Sequence, residues 1–155
     1  MLRKLRKQCI LKKKRKMSKI ADSVLRIQCS NEGDFIRKWL TFLTPLHKMT
    51  PSIVTLASEI IRKRIELGRV ISDDKVLDKF LFTDEDVRKE IIGKCGISTS
   101  NYHVGITKLK KAGFFINGGV NPKFVPKIDV GATKYSMILL FTIPETNEES
   151  GESTT

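Results

Sequence analysis

The apolar residues of this chain fall into stretches with two different periods. Leu25, Ile27 and Cys29 alternate with Val24, Arg26 and Gln28, and this period of two predicts a strand over Ser23–Cys29; a helix over Ile20–Ile27 fits nearly as well. Asn31–Asp34 reads as a turn. Phe35, Ile36, Trp39, Leu40 and Leu43 then recur at helical spacing and mark a short amphipathic helix, which Thr44-Pro45 should break. Trp39, the one tryptophan, reads as core before it reads as a platform for a stacked base. Thr50 and Pro51 predict a second start, with Thr as N-cap and Pro at the first helical position. Ile53, Leu56, Ala57, Ile60, Ile61 and Ile65 form the inner face of this long helix, and Gly68 ends it.

Ser72-Asp73-Asp74 can cap a short helix carrying Val76, Leu77, Phe80 and Leu81; Val70-Ile71 is a candidate short strand before it. Thr83 is the expected N-cap of the next helix, with Asp84, Glu85 and Asp86 in its first turn, where the helix dipole favours acids. Val87, Ile91 and Cys95 form one apolar stripe, and Gly96 provides the backbone freedom to end it. Ser98 caps a further helix, whose inner face is Tyr102, Ile106 and Leu109 and whose end is Gly113. Phe114–Ile116 are strand formers, and Asn117-Gly118-Gly119 is a hairpin signal. Residues 119–126 return from the hairpin, with Pro122 and Pro126 restricting them to an edge or an irregular arm. Asp129–Lys134 is a loop. Tyr135–Ile143 is the strongest strand, apolar on both faces from Met137 to Phe141, so it is expected to be buried beside Ser23–Cys29 until Pro144 stops it.

The fold class expected is α+β, mainly α. Helix, tight turn, helix and hairpin, in that order over residues 83–126, is the order of a winged helix-turn-helix, followed here by a C-terminal β-strand. The expected organisation is a basic disordered arm over 1–16, one domain over 17–143 and an acidic disordered tail over 144–155. The domain holds the helix-turn-helix at 83–113, the wing at 114–126 and the C-terminal strand at 135–143.

Charge sharpens this division. The net charge of +12 is concentrated at one end: residues 1–16 hold nine Lys/Arg and no acid, leaving only +3 for the rest. Such a block reads as an arm for nucleic acid, Lys12, Lys13, Lys14 and Arg15 included. It has two other readings: a dispensable extension ahead of a second start at Met17-Ser18-Lys19, or an arm for an acidic protein partner. Arg62, Lys63, Arg64 and Arg69 on the long helix form a basic cluster, read as a solvated helix end or as a phosphate or partner contact. No apolar run approaches the length of a membrane span, and Cys9-Ile10-Leu11 is too short for the core of a signal peptide, so no membrane association is expected. Cys9, Cys29 and Cys95 lie far apart, which points to reduced thiols in a cytosolic setting.

Candidate chemistry is sparse. His47 and His103 are the two histidines, with no acid at ligand spacing, and no phosphate loop or nucleophile motif is present. No catalytic residue, cofactor or metal is assigned, and the chain is not read as an enzyme. The second helix of the helix-turn-helix is different. With Tyr102, Ile106 and Leu109 inward, Thr99, Ser100, His103, Thr107 and Lys108 point outward, with Lys110 and Lys111 at the end. Ser98, Thr99 and Ser100 suit phosphate contact through hydroxyls and free N–H groups. His103 and Thr107 reach towards base edges. The wing adds Asn117 and Lys123. No arginine follows Arg88, so the Arg–guanine contact is missing from this helix.

Gly96, Ile97, Ser98, Thr99, Ser100, Tyr102, Ile106, Leu109 and Gly113 closely resemble the recognition-helix pattern of winged-helix proteins; Val104 departs from it, at a position where DNA-reading members often carry a polar or basic residue. With Leu43, Leu46, Met49, the helix from Pro51 and Asn121-Pro122, the stretch from Phe35 to Pro126 resembles RepL-type plasmid replication initiators. It is also similar to small winged-helix proteins of crAss-like tailed phages. The resemblance implies a mobile-element protein that binds double-stranded DNA, in replication initiation or transcriptional regulation, in the cytoplasm of a bacterial host. The alternative is a virion structural or assembly protein, akin to a head–tail connector, using the same fold to dock protein. Partners under these readings are DNA, a second copy, or replication or virion proteins. A third reading is an adaptor that binds protein through Phe115, Val120 and Phe124.

Overall fold

The computed structural model describes residues 24–129 and 131–140. Residues 28–137 form one compact unit, and residues 24–27 and 138–140 belong to a second. The described chain is mainly helical. In order it holds β1 (Val24–Cys29), α1 (Glu32–His47), α2 (Pro51–Gly68), α3 (Asp74–Thr83), α4 (Glu85–Cys95), α5 (Thr99–Lys111), β2 (Phe115–Ile116), β3 (Gly119–Val120), a 3-10 turn (Pro122–Phe124) and β4 (Tyr135–Leu140).

α2 is the axis of the larger unit. Ile53, Leu56, Ala57, Ile60 and Ile61 are buried along it, and α1, α3, α4 and α5 all pack against it. Its faces meet Ile36 and Leu40 of α1, Leu81 of α3, Val87 and Ile91 of α4, and Tyr102 and Leu109 of α5 in a single apolar cluster. Phe114, Val120 and Phe124 close the cluster from the hairpin. Trp39 packs against it with its Nε1 donating to Phe124 O at 3.0 Å, which joins α1 to the turn after β3. Cys95 also packs against the core, and burial raises its thiol pKa.

Several element ends differ from expectation, each for a local reason. α1 begins three residues before Phe35, because the Asn31 side chain accepts from Asp34 N at 2.9 Å and caps it. It also runs through Pro45. A proline removes one N–H and crowds the carbonyl four residues back, here that of Thr41, so the loss is confined to one bond near the helix end. Lys48, left-handed at φ 51°, ends it. Thr50 occupies the N-cap position of α2 but makes no capping bond; its hydroxyl lies 3.2 Å from Ser52 Oγ. Asp84 replaces Thr83 as N-cap of α4, accepting from Val87 N at 2.9 Å, while Thr83 is the last residue of α3 and donates to Lys79 O. Val70-Ile71 forms no strand, and Val70 is exposed.

Asn117 (φ 51°) and Gly118 (φ 82°) both adopt positive φ, the signature of a two-residue type I′ turn, and pair Phe115 with Val120 and Ile116 with Gly119 antiparallel. Asn121 fixes the hairpin base: its N donates to Phe114 O and its Nδ2 to Gly113 O. β1 pairs with β4. β4 is not buried on both faces: Met137 is buried while Ile138 and Leu140 are exposed. Residues 141–143 of the expected strand, the arm over 1–16 and the tail over 144–155 lie outside the described residues. No helix among the described residues is long and apolar enough to cross a membrane.

Candidate nucleic-acid interface

α5 owes its orientation to its two ends and one glycine. At the start, Ser98 Oγ accepts from Asn101 N at 3.2 Å, and Gly96, left-handed at φ 63°, turns the chain out of α4. At the finish, Gly113 (φ 75°) turns it into the hairpin. Midway, Gly105 is buried against α2, with no room for a side chain before Leu56. This close approach sinks Tyr102 and Leu109 into the core and leaves the opposite side of α5 in solvent.

That side carries the residues singled out in the sequence. Ser98, Thr99, Ser100, His103, Thr107, Lys108, Lys110 and Lys111 are all exposed. Ser100, Thr107 and Lys111 fall on one line of the helix surface, spaced by seven and four residues, with His103 beside them. The line runs about 16 Å at helical rise. The hydroxyl of Thr107 donates to His103 O at 3.0 Å, which ties it to the helix backbone. The first-turn N–H groups of Thr99 and Ser100 have no partner among the described residues; those of Asn101 and Tyr102 go to Ser98. Two free donors at the positive end of a helix dipole suit an anion. Lys123 is exposed on the turn after the hairpin, and no hydrogen bond or ion pair joins it to α5 among the described residues. Lys12, Lys13, Lys14 and Arg15 lie outside the described residues.

The electrostatics of the unit separate into two regions. Between residues 91 and 128 the sequence holds six lysines and no acid. Lys108, Lys110, Lys111 and Lys123 accordingly have no carboxylate within 4 Å among the described residues, and their charge faces water. The basic cluster of α2 is the reverse case. Arg62 pairs with Glu59 at 2.8 Å, Lys63 with Glu90 at 2.6 Å and Glu66 at 3.0 Å, Arg64 with Asp78 at 2.8 Å and Asp74 at 3.0 Å, and Arg69 with Glu32 at 2.9 Å. Lys63 is only 8% exposed. These ion pairs join the end of α2 to α1, α3 and α4; of the four cations, Arg69 stays exposed. Hydrogen bonds from Lys63 and Lys94 hold the Glu90 carboxyl down at about 2.

No protein-family model, curated protein or solved structure matches the chain.

The structure adds two residues beside α5 that the sequence pattern passed over. Arg88 of α4 and Phe82 of α3 reach the flank of α5 that carries His103 and Lys110, where Phe115 of the hairpin also lies. Arg88 follows the buried Val87 directly and so sits at the edge of its helix's inner face; that offset was the available signal. Of the three residues expected in an adaptor surface, Val120 and Phe124 are buried in the core and only Phe115 is accessible.

Proposed function

We propose that this protein is a winged helix-turn-helix DNA-binding protein of a phage or plasmid, acting on double-stranded DNA in replication initiation or transcriptional regulation. α5 is the element that enters the major groove, and the β2–β3 hairpin is the wing. The observation that carries this reading is the α5 face: nine exposed polar or basic residues at positions 98–111, on an acid-free stretch, while the cations of α2 are taken up by internal ion pairs. A helix of this diameter fits a major groove about 12 Å wide. Thr99 and Ser100 would meet a phosphate at the helix N-terminus, His103 and Thr107 would face base edges, and Lys108, Lys110 and Lys111 would contact phosphates of the far strand. With no arginine on α5, phosphate contacts dominate and affinity is strongly salt-dependent.

A duplex titration at two salt concentrations, comparing residues 1–155 with 17–155, tests this. The shorter form should bind, and Lys108→Ala and His103→Ala should weaken it. Loss of all binding with the arm would contradict an α5 interface. Val104, 52% exposed near the middle of the α5 surface, favours a second reading in which this face docks protein, as in a virion assembly component. That reading predicts no duplex binding by 17–155 and a fixed copy number in assembled particles.

A further inference from the structure

A cleft of about 350 Å³ opens on the flank of α5, between that helix, the end of α3 and the hairpin. Its walls are apolar and largely aromatic: Phe82, Tyr102, Ile106 and Phe115. Phe82 and Phe115 meet edge to face with ring centroids 5.2 Å apart, and Phe114 braces Phe115 from behind at 5.0 Å. The groups at its margin that can carry charge as bases are Arg88, His103 and Lys110, and no carboxylate lines it. Neither Arg88 nor Lys110 has an acid within 4 Å among the described residues, and the Tyr102 hydroxyl has no hydrogen-bond partner there. An aromatic slot with cations from two different helices on its margin and no opposing acid is the chemistry of a single-strand nucleic-acid site. Bases stack on the rings, and the backbone phosphates on either side find the cations. A duplex cannot use such a slot, because its bases are already stacked.

We propose that this cleft binds one unpaired nucleotide of a single-stranded segment, with the base against Phe115 and Phe82 and the flanking phosphates on Arg88 and Lys110. The inference rests on the DNA-binding reading of α5 and extends it: the face of α5 holds duplex, and its flank holds a strand that has left the duplex. Charge complementarity selects this occupant, since the cleft's lining holds Arg88, His103 and Lys110 and no carboxylate. Gly118 at the hairpin turn leaves the mouth open: a Cβ there would touch nothing within 4 Å.

The test uses the full chain at about 0.1 M and about 0.3 M salt, so that the salt-sensitive phosphate contribution is separated from stacking. An eight-nucleotide thymidine oligomer with one central 2-aminopurine and a blunt duplex are titrated in parallel. Phe115→Leu and Phe82→Leu keep apolar bulk while removing a ring, and melting curves establish that each variant is folded. Each should weaken the oligomer about tenfold, the loss expected of one stacking contact, and should abolish the 2-aminopurine signal. Duplex affinity should stay within about twofold. Lys111→Ala should do the opposite. Duplex binding without oligomer binding overturns the cleft proposal and leaves the α5 reading standing; loss of both ligands together in the leucine variants also overturns it. If neither ligand binds, both readings fall. A phenylalanine peptide flanked by glutamates that binds in place of the oligomer, and is lost in Phe115→Leu, assigns the cleft to a protein partner and overturns the proposal.

Discussion

Gly105 of α5 lies so close to Leu56 of α2 that a methyl group at position 105 would run into Leu56 Cδ2. Leu56 is 2% exposed and held among core neighbours, so it has little freedom to retreat. The glycine is thus a packing residue. It lets α5 sink far enough to bury Tyr102 and Leu109, and it fixes which side of α5 faces outward.

Gly105→Ala tests this contact. At an exposed helix position the change would stabilise by about 1 kcal/mol. Here overpacking costs about 1–3 kcal/mol, so a net loss near 1 kcal/mol is expected in urea denaturation. In a Leu56→Ala background the clash is gone and Gly105→Ala should become neutral or stabilising, a coupling that a double-mutant cycle reads directly. Independent effects of the two substitutions would remove the packing role.

The Glu90–Lys63 pair predicts a pH dependence. Hydrogen bonds from Lys63 and then Lys94 lower the Glu90 pKa from 4.5 to about 2. A depressed carboxylate contributes stability that is fully present above its unfolded pKa and is lost as pH falls through its folded one. Stability should therefore drop between about pH 4.5 and 2, and Glu90→Gln should flatten that drop. Equal slopes for wild type and variant in denaturation at stepped pH would show that the pair adds nothing.

Lys48 ends α1 at φ 51°, a conformation that costs a residue with a side chain about 1 kcal/mol. Lys48→Gly removes that cost and should raise the melting temperature by about 2–4 °C. A lower melting temperature would mean that the lysine side chain stabilises the turn by more than the backbone strain it carries.

Asn121 holds the base of the hairpin with two side-chain bonds, to Gly113 O at 2.9 Å and from Lys123 N at 3.1 Å. Asn121→Ala should cost about 1–2 kcal/mol. Asn121→Asp keeps the acceptor and loses the donor, so it should fall between. A denaturation series over the three proteins gives the order.

The parts of this fold that local backbone chemistry dictates were legible in the sequence. Gly96, Ser98 and Asn117-Gly118 announce a helix end, a helix start and a hairpin, and each does that in the structure. Boundaries set by competition between neighbours were less so: Asp84 outcompetes Thr83 as a cap because its carboxylate lies within reach of Val87 N. Contacts across long separations were not legible. The partners of Arg64 lie ten and fourteen residues away and that of Arg69 lies thirty-seven away, so a cluster that is internally neutralised looked like free charge. The cleft beside α5 draws on α3, α4, α5 and the hairpin, and no single stretch of sequence carries its pattern. The reason for a glycine at 105, in the middle of a helix, likewise sits on another helix, at Leu56.

The measurement that bears most directly on an α5 interface compares two identical charge reversals in duplex binding. Lys111 lies on the outward line of α5, while Lys75 is exposed on α3 beside Asp74, which pairs with Arg64 of α2, eight residues beyond the Leu56 that seats α5. Lys111→Glu and Lys75→Glu change net charge equally. The account predicts that Lys111→Glu weakens duplex binding about tenfold and makes it less salt-dependent, while Lys75→Glu stays within about twofold. Equal losses in the two variants would mean that the protein attracts DNA by net charge alone and would contradict an interface on α5.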